Sequence, residues 1–184
     1  MKKWLLMLVM IAVPYTLYAQ VPMVESPVHL DLGIGGGISM PVGTLSNGDN
    51  TGFHGGAKAR LHGFMPLNLL GTFSYNRLPN KVGGESDIVW MGSAGVEYPI
   101  PSVLVKPYFG ADVAFNSISN TVAGATSRSR FGAGFGAGVT FSVPSFGNID
   151  ASVKYQLLNL IGKDPNEDTV SQIAANISLM FSVM

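Results

Sequence analysis

Ten charged side chains fall at alternate positions within eight apolar, glycine-rich stretches: Asp31, Lys58, Arg60, Asp87, Glu97, Lys106, Asp112, Arg130, Asp150 and Lys154. Each lies on the polar face of its stretch, and within the stretches no charge lies on the apolar face. Arg77, where a stretch meets its loop, breaks the parity. Charges gathered on one side of a sheet and shut away from water must pair, because an uncompensated one costs several kcal/mol. Adjacent stretches suggest Asp31–Arg60, Glu97–Lys106 and Asp112–Arg130 as partners, to within two residues of register. Such a set is a salt-bridged plug. Loosened, the same residues would line a path for ions.

The remaining candidates for chemistry are weaker. His29, His54 and His62 share the charged face, but His54 is too far along its strand from His62 for a common metal ion. Gly33-Ile-Gly35 resembles a dinucleotide fingerprint without the helix or downstream acidic residue that would support it. Gly132 and Gly136 have a helix-packing spacing, but outside any apolar 20-mer. No residue is therefore assigned a catalytic, cofactor-binding or metal role, and no cofactor is expected.

The elements that must carry these charges are strands. In R-S-R-F-G-A-G-F-G-A-G-V-T-F-S-V (Arg128–Val143), one face reads Phe131, Ala133, Phe135, Ala137, Val139, Phe141 and Val143. The other reads Arg130, Gly132, Gly134, Gly136, Gly138, Thr140 and Ser142. Strict period-two alternation marks a strand with one apolar face. The run also exceeds the five or six residues of an average soluble strand and suits a tilted bilayer crossing of about 9–11 residues. The other stretches alternate likewise: Val28–Met40, Phe53–Phe64, Leu67–Asn76, Asp87–Tyr98, Val103–Asn116, Ile149–Leu158 and Gln172–Val183. Connections after the second, fourth and sixth are tight and contain proline. Those after the first, third, fifth and seventh are longer and polar: roughly 41–52, 77–86, 117–127 and 159–171. Short turns at one end and long loops at the other are the pattern of a transmembrane β-barrel, with an even strand number.

Composition and address agree. Apolar residues make up 47% of the 184-residue chain and charged residues 12%, against about 25% charged in an ordinary soluble domain. Lys2 and Lys3, the apolar run Trp4–Val13 and Leu17-Tyr18-Ala19 read as a secretory signal over residues 1–19, too short to span a membrane. Residues 20–27 form a short periplasmic leader, and residues 28–184 the barrel. The chain has no cysteine, so disulfides and a lipoprotein anchor are excluded. Basic and acidic residues number 11 each, so loss of Lys2 and Lys3 leaves a net charge of −2 and no electrostatic case for nucleic acid.

Which way the barrel faces follows from volume. An inward apolar face would have to hold Phe73, Trp90, Tyr98, Phe109, Phe115, Phe131, Phe135, Phe141, Tyr155 and Phe181. Eight strands leave a lumen just wide enough for side chains. The glycine rows are the small face such a lumen needs, so the aromatics must meet lipid. Phe53, Tyr75, Trp90 and Phe131 then form an aromatic girdle towards the long loops, and Tyr98, Phe141 and Phe181 one towards the short turns.

K-P-Y-F-G-A-D-V-A-F (106–115), F-G-A-G-F-G-A-G-V-T-F (131–141) and the closing A-N-I-S-L-M-F-S-V-M resemble the small eight-stranded outer-membrane barrels, of the outer-membrane protein A transmembrane-domain type. The resemblance implies an all-β, antiparallel up-and-down barrel in the bacterial outer membrane, with a polar lumen and a lipid-facing apolar exterior. Such barrels usually end in an aromatic residue; here Phe181 stands three residues before Met184. The implied partners are outer-membrane lipid and lipopolysaccharide, the barrel-assembly machinery and periplasmic chaperones, around a monomer. The expected role is structural or surface-interacting, with a narrow pore as the alternative. A lipid-modifying enzyme is the least supported reading, because the His-x-Ser pair of the deacylase built on a similar barrel has no counterpart here.

Overall fold

The computed structural model describes residues 28–64, 66–101, 105–122, 126–144 and 146–183. The signal sequence, the leader and Met184 lie outside the described residues. Eight strands follow one another: β1 (His29–Val42), β2 (Gly52–Phe64), β3 (Leu67–Pro79), β4 (Ser86–Pro99), β5 (Val105–Asn120), β6 (Arg128–Val143), β7 (Gly147–Ile161) and β8 (Ser171–Ser182). Each pairs antiparallel with its sequence neighbours, and β1 returns to β8 to close the barrel. Closure leaves no edge, as hydrocarbon demands, since an unpaired backbone N–H or C=O there costs several kcal/mol. The only helix among the described residues is one turn, α1 (Leu45–Gly48), in the β1–β2 loop.

The alternation read from the sequence is the partition between lipid and lumen. Ile34, Phe73, Phe109, Val113, Phe135, Val153 and Ile177 each expose more than half of their surface outward. Asp31, Lys58, Arg60, Glu97, Asp112, Arg130 and Asp150 are buried inside. Phe53, Trp90 and Phe131 stand exposed towards the long loops and Phe141 and Phe181 towards the short turns, while Tyr75 and Tyr98 are half-buried. Trp90 is braced by Phe73 at 5.6 Å and Tyr75 at 4.8 Å between ring centroids, on the face that meets lipid.

The strands run further than the alternation of residue types suggested. β3 reaches Pro79, β5 reaches Asn120 and β7 reaches Ile161. Pairing there continues through Leu78↔Asp87, Asp87↔Asn120 and Phe131↔Ile161. Beyond the bilayer no side-chain pattern is imposed, so polar residues occur on both faces while the ladder goes on. The long loops shrink accordingly to 43–51, 80–85, 121–127 and 162–170.

Glycine on the lumen face is a matter of space. A β-carbon at Gly138 would stand 2.4 Å from the Tyr108 ring, and one at Gly134 would stand 2.7 Å from Asp112 Oδ1. The bare face of β6 is where side chains of β5 lie down. Facing is therefore testable at consecutive positions. Ala137→Arg, on the exposed lipid face near mid-strand, is expected to cost about 2–4 kcal/mol in a bilayer-based unfolding titration. Gly138→Val should displace Tyr108 and leave lipid contact unchanged. If arginine at position 137 proves neutral, the facing is wrong.

Candidate functional site

The lumen is organised about a neutral quadruplet of charges contributed from three strands. Arg60 and Lys58 sit two residues apart on β2, Glu97 on β4 and Asp150 on β7. Arg60 donates from Nε to Glu97 Oε2 at 2.5 Å and from Nη2 to Asp150 Oδ2 at 2.6 Å. Lys58 Nζ donates to Asp150 Oδ1 at 3.0 Å. It also stands 2.9 Å from Glu97 Oε1, off the axis of a hydrogen bond, so that contact is ionic rather than directional. All four are at least nine-tenths buried. Tyr108 Oη donates to Asp150 Oδ1 at 3.0 Å, and its ring centroid lies 5.0 Å from both cationic groups. Thr140 Oγ1 donates to Asp150 Oδ2 at 3.1 Å. Two cations face two carboxylates; Asp150 accepts further directed hydrogen bonds from Tyr108 and Thr140, while Glu97 is held by Arg60 Nε and by the nearby Lys58 charge.

Further layers stack on this one. Lys154 of β7 pairs with Asp112 of β5. Above them runs an amide and hydroxyl layer. Ser39 Oγ donates to Asn76 Oδ1 at 3.1 Å and stands 2.9 Å from His54 Nδ1, while Gln172 Nε2 donates to Gln156 Oε1 at 2.7 Å. Leu78, Val89 and Leu158, almost fully buried, close the lumen beneath the long loops. Between the quadruplet and the amide layer, a cavity of about 70 Å³ is lined by His54, Lys58, Thr72, Asn76, Lys154 and Asn176 among others.

The expected pairs are not the observed ones. Asp31 and Arg60 are direct Cα partners, yet Arg60 reaches across the lumen and Asp31 takes His62 Nε2 at 2.9 Å and Ser182 Oγ at 2.5 Å. Glu97 stands opposite Gly110, four residues from Lys106, and Lys106 is exposed. Asp112 stands opposite Gly134, four residues from Arg130. Arg130 instead binds the β7–β8 loop, donating from Nη2 to Glu167 Oε2 at 2.8 Å and to Asp164 Oδ2 at 3.0 Å. Asp87 accepts from Asn120 Nδ2 at 2.5 Å. The sequence reading paired neighbours, whereas in so narrow a lumen long side chains meet across the axis. Parity also set Tyr108, Thr140 and the amide layer on the charged face, but nothing in the spacing assigned them a part in the network.

The loops carry two carboxylates shifted in opposite directions. Arg130, with the Asp164 backbone N–H and Asn159, holds Glu167 down at about 2. Burial, with Asp87 nearby and Lys81 opposing, pushes Asp49 up to about 6. Asp49 sits where the first two long loops join, pairing with Asn80 while Asn50 N donates to Pro79 O at 2.7 Å.

The family model for the outer membrane protein beta-barrel domain matches residues 5–181, and the chain belongs to that family. It is a protein of the bacterial outer membrane, so its short turns face the periplasm and its long loops the exterior. Among solved structures it is similar to Neisserial surface protein A, at 21% identity and a TM-score of 0.63, over 84% of this chain and 96% of that one. It is similar to a major outer membrane protein of Thermus thermophilus at 14% identity and 0.52, over 85% and 100%. The N-terminal β-barrel domain of Pseudomonas aeruginosa OprF follows at 16% and 0.50, over 82% and 97%. At these identities the likeness is one of fold. No curated protein sequence matches the chain.

Two outcomes follow from the charges. Arg60→Ala, which leaves two buried carboxylates with one cation, should cost about 3–5 kcal/mol in denaturant unfolding followed by gel mobility. Lys106→Ala should stay within about 0.5 kcal/mol; equal costs would remove the quadruplet from its central place. For Asp49 the folded value lies above the unfolded 3.8, so its contribution is complete below about 3.8 and is lost as pH rises through about 6. Amide protection at Asn50 and Lys81 should fall over that window in the wild type and stay level in Asp49→Asn. Protection that rises with pH would contradict the sign.

Proposed function

We propose that this outer-membrane barrel is a non-catalytic envelope protein that acts through its fixed wall and outward loops, with its lumen serving as a plug. The quadruplet carries the reading. Lys58, Arg60, Glu97 and Asp150 tie β2, β4 and β7 across the axis with no net charge. Layers above and below fill the remaining width. What such a protein offers to a partner is its exterior surface, made of loops built from Asn, Ser, Gly and Asp.

The first, second and last of these loops hold shape. Lys81 Nζ donates to Ser46 O at 2.5 Å and Lys81 N to Gly48 O at 2.8 Å, joining the first two. Thr44 Oγ1 donates to Thr169 O at 3.2 Å, joining the first and the last. Arg130 pins the last loop from within the wall. A surface preorganised in this way loses less entropy on binding. Val82, exposed over 85% of its surface at the tip of the second loop, is an apolar anchor for a partner. Outer-membrane lipid and lipopolysaccharide surround the wall as its standing partners. The barrel-assembly machinery and periplasmic chaperones deliver it, and it works as a monomer.

A second reading, a narrow ion path, draws on the 70 Å³ cavity above the quadruplet, which Lys58, Lys154 and His54 help to line. If the quadruplet exchanged partners, that chamber would connect to the periplasmic side. Catalysis finds less support, since His54 is spent on Ser39 and Asn176 inside the lumen rather than on an exposed nucleophile. Single-channel recording of the purified protein in planar bilayers separates the first two readings. The plug predicts a baseline equal to that of protein-free bilayers. Reproducible current steps, altered by Glu97→Gln, would replace the plug with the pore.

A further inference from the structure

The periplasmic mouth holds a cluster that neither the quadruplet nor the loops use. His29 and Asp31 lie two residues apart on the lumen face of β1, and His62 of β2 is the direct Cα partner of His29. The two imidazoles stack with centroids 4.1 Å apart and planes 11° from parallel. Asp31 Oδ2 is 2.9 Å from His62 Nε2. One donor atom from each of the three residues lies within 4.8 Å of the others.

Three features distinguish this from a chance gathering of polar groups. The donors are two imidazoles and a carboxylate, a set that suits Zn²⁺ and its first-row neighbours, whereas Ca²⁺ and Mg²⁺ take oxygen ligands. Asp31 is 3% exposed, yet the strong cation opposite it, Arg60, is committed to Glu97 and Asp150. The carboxylate is thus left facing imidazole, a partner that a metal ion can take over. Finally, Asp31 is already oriented from behind: Ser182 of the closing strand donates to Oδ1 at 2.5 Å and leaves Oδ2 for the cluster. A hydrogen bond to the second oxygen of a ligating carboxylate is how metal sites fix their ligands. The site is also reachable, since His62 keeps 23% of its side chain exposed at the rim.

We propose that His29, Asp31 and His62 bind one divalent ion of the Zn²⁺ class, clamping β1 to β2 beside the seam where β8 closes the barrel. His62 binds through Nε2 as a neutral imidazole: the hydrogen it holds against Asp31 is passed through water to Nδ1 as the ion enters. The donors draw together to roughly 3.3 Å, the spacing of neighbouring ligands around a tetrahedral ion with bonds of about 2.0–2.1 Å. Three protein ligands leave the fourth position to water or to a periplasmic anion. The clamp would act on the folded barrel alone, because in the unfolded chain His62 is far from the other two along the sequence. Binding to the native state and not to the unfolded chain raises stability with metal concentration.

The test uses untagged protein extracted from outer membranes into detergent and titrated calorimetrically with ZnCl2. One ion per chain is expected, with affinity reduced at least tenfold in His62→Gln and in His29→Gln and unchanged in His54→Gln. CaCl2 should give no comparable binding. In a separate readout, Zn²⁺ should raise the temperature at which the folded gel band is lost in the wild type and leave Asp31→Asn unmoved. If His62→Gln fails to assemble, His29→Gln, at the first residue of β1, carries the comparison. Absence of Zn²⁺ binding, equal binding in the histidine variants, or equal binding of Ca²⁺ would each overturn the assignment.

Discussion

Closing eight strands in hydrocarbon fixes the width of what lies inside them. Every backbone donor and acceptor must be paired across a strand boundary, and β1 meeting β8 completes that pairing. The barrel that results is barely wider inside than its own side chains. From this width the rest follows. Lumen side chains project towards the axis, and an arginine or lysine there meets head groups from strands that are not its neighbours. Charge inside such a tube is shared by the whole circumference rather than by neighbouring strands. Arg60 of β2 can therefore hold Glu97 of β4 and Asp150 of β7 at once, with Lys58 on the same two carboxylates.

The same width sets where bulk can go. Tyr108 lies over Gly138, and Asp112 over Gly134, because a β-carbon at either glycine would occupy their place. Among the described residues no phenylalanine is buried, and the exposed ones on the strands lie on the lipid face. Bare glycine on one face of β6 and phenylalanine on the other are two consequences of one dimension. Aromatic volume that cannot enter the lumen supplies the apolar wall instead, so the packing limit inside and the solvent requirement outside act on alternate residues of one strand.

The architecture was legible in the sequence because both constraints write with period two. Strand number, facing and the alternation of short turns with long loops could all be read from residue types. Strand ends could not, since beyond the bilayer the ladder of β5 continues to Asn120 with no side-chain rule to mark it. The identity of the buried charges was legible from parity, but their partners were not. Parity says which face a residue is on and nothing about how far around the barrel its head group travels. Asp31 shows this most plainly. It stands directly opposite Arg60, the pairing that adjacency implies, and is bound instead by His62 and Ser182. Tyr108 is a related case: parity sets it on the polar face beside Lys106 and Asp112, but says nothing of its hydrogen bond to Asp150 or of the glycine it lies over.

The two mouths of the barrel solve different problems, and their chemistry differs accordingly. At the exterior the strands outrun the bilayer, and the loops must be held without lipid support. Permanent charge does this, with Arg130 anchoring Asp164 and Glu167 from a position inside the wall. The same contact, with the Asp164 backbone N–H and Asn159, holds the Glu167 carboxyl well below the usual carboxylate range. The junction of the first two loops has the opposite character, because Asp49 is buried near Asp87 and favours its proton. At the periplasmic mouth the strands are joined by short turns, and the groups that meet there are imidazole, carboxylate and hydroxyl. They lie across β2, β1 and β8, the strands on either side of the closure. A barrel with no free edge has one joint formed last in sequence, where the first strand meets the eighth. In this chain that joint is bordered on the lumen side by residues whose bonds can be made and exchanged, while the fixed charges lie deeper in.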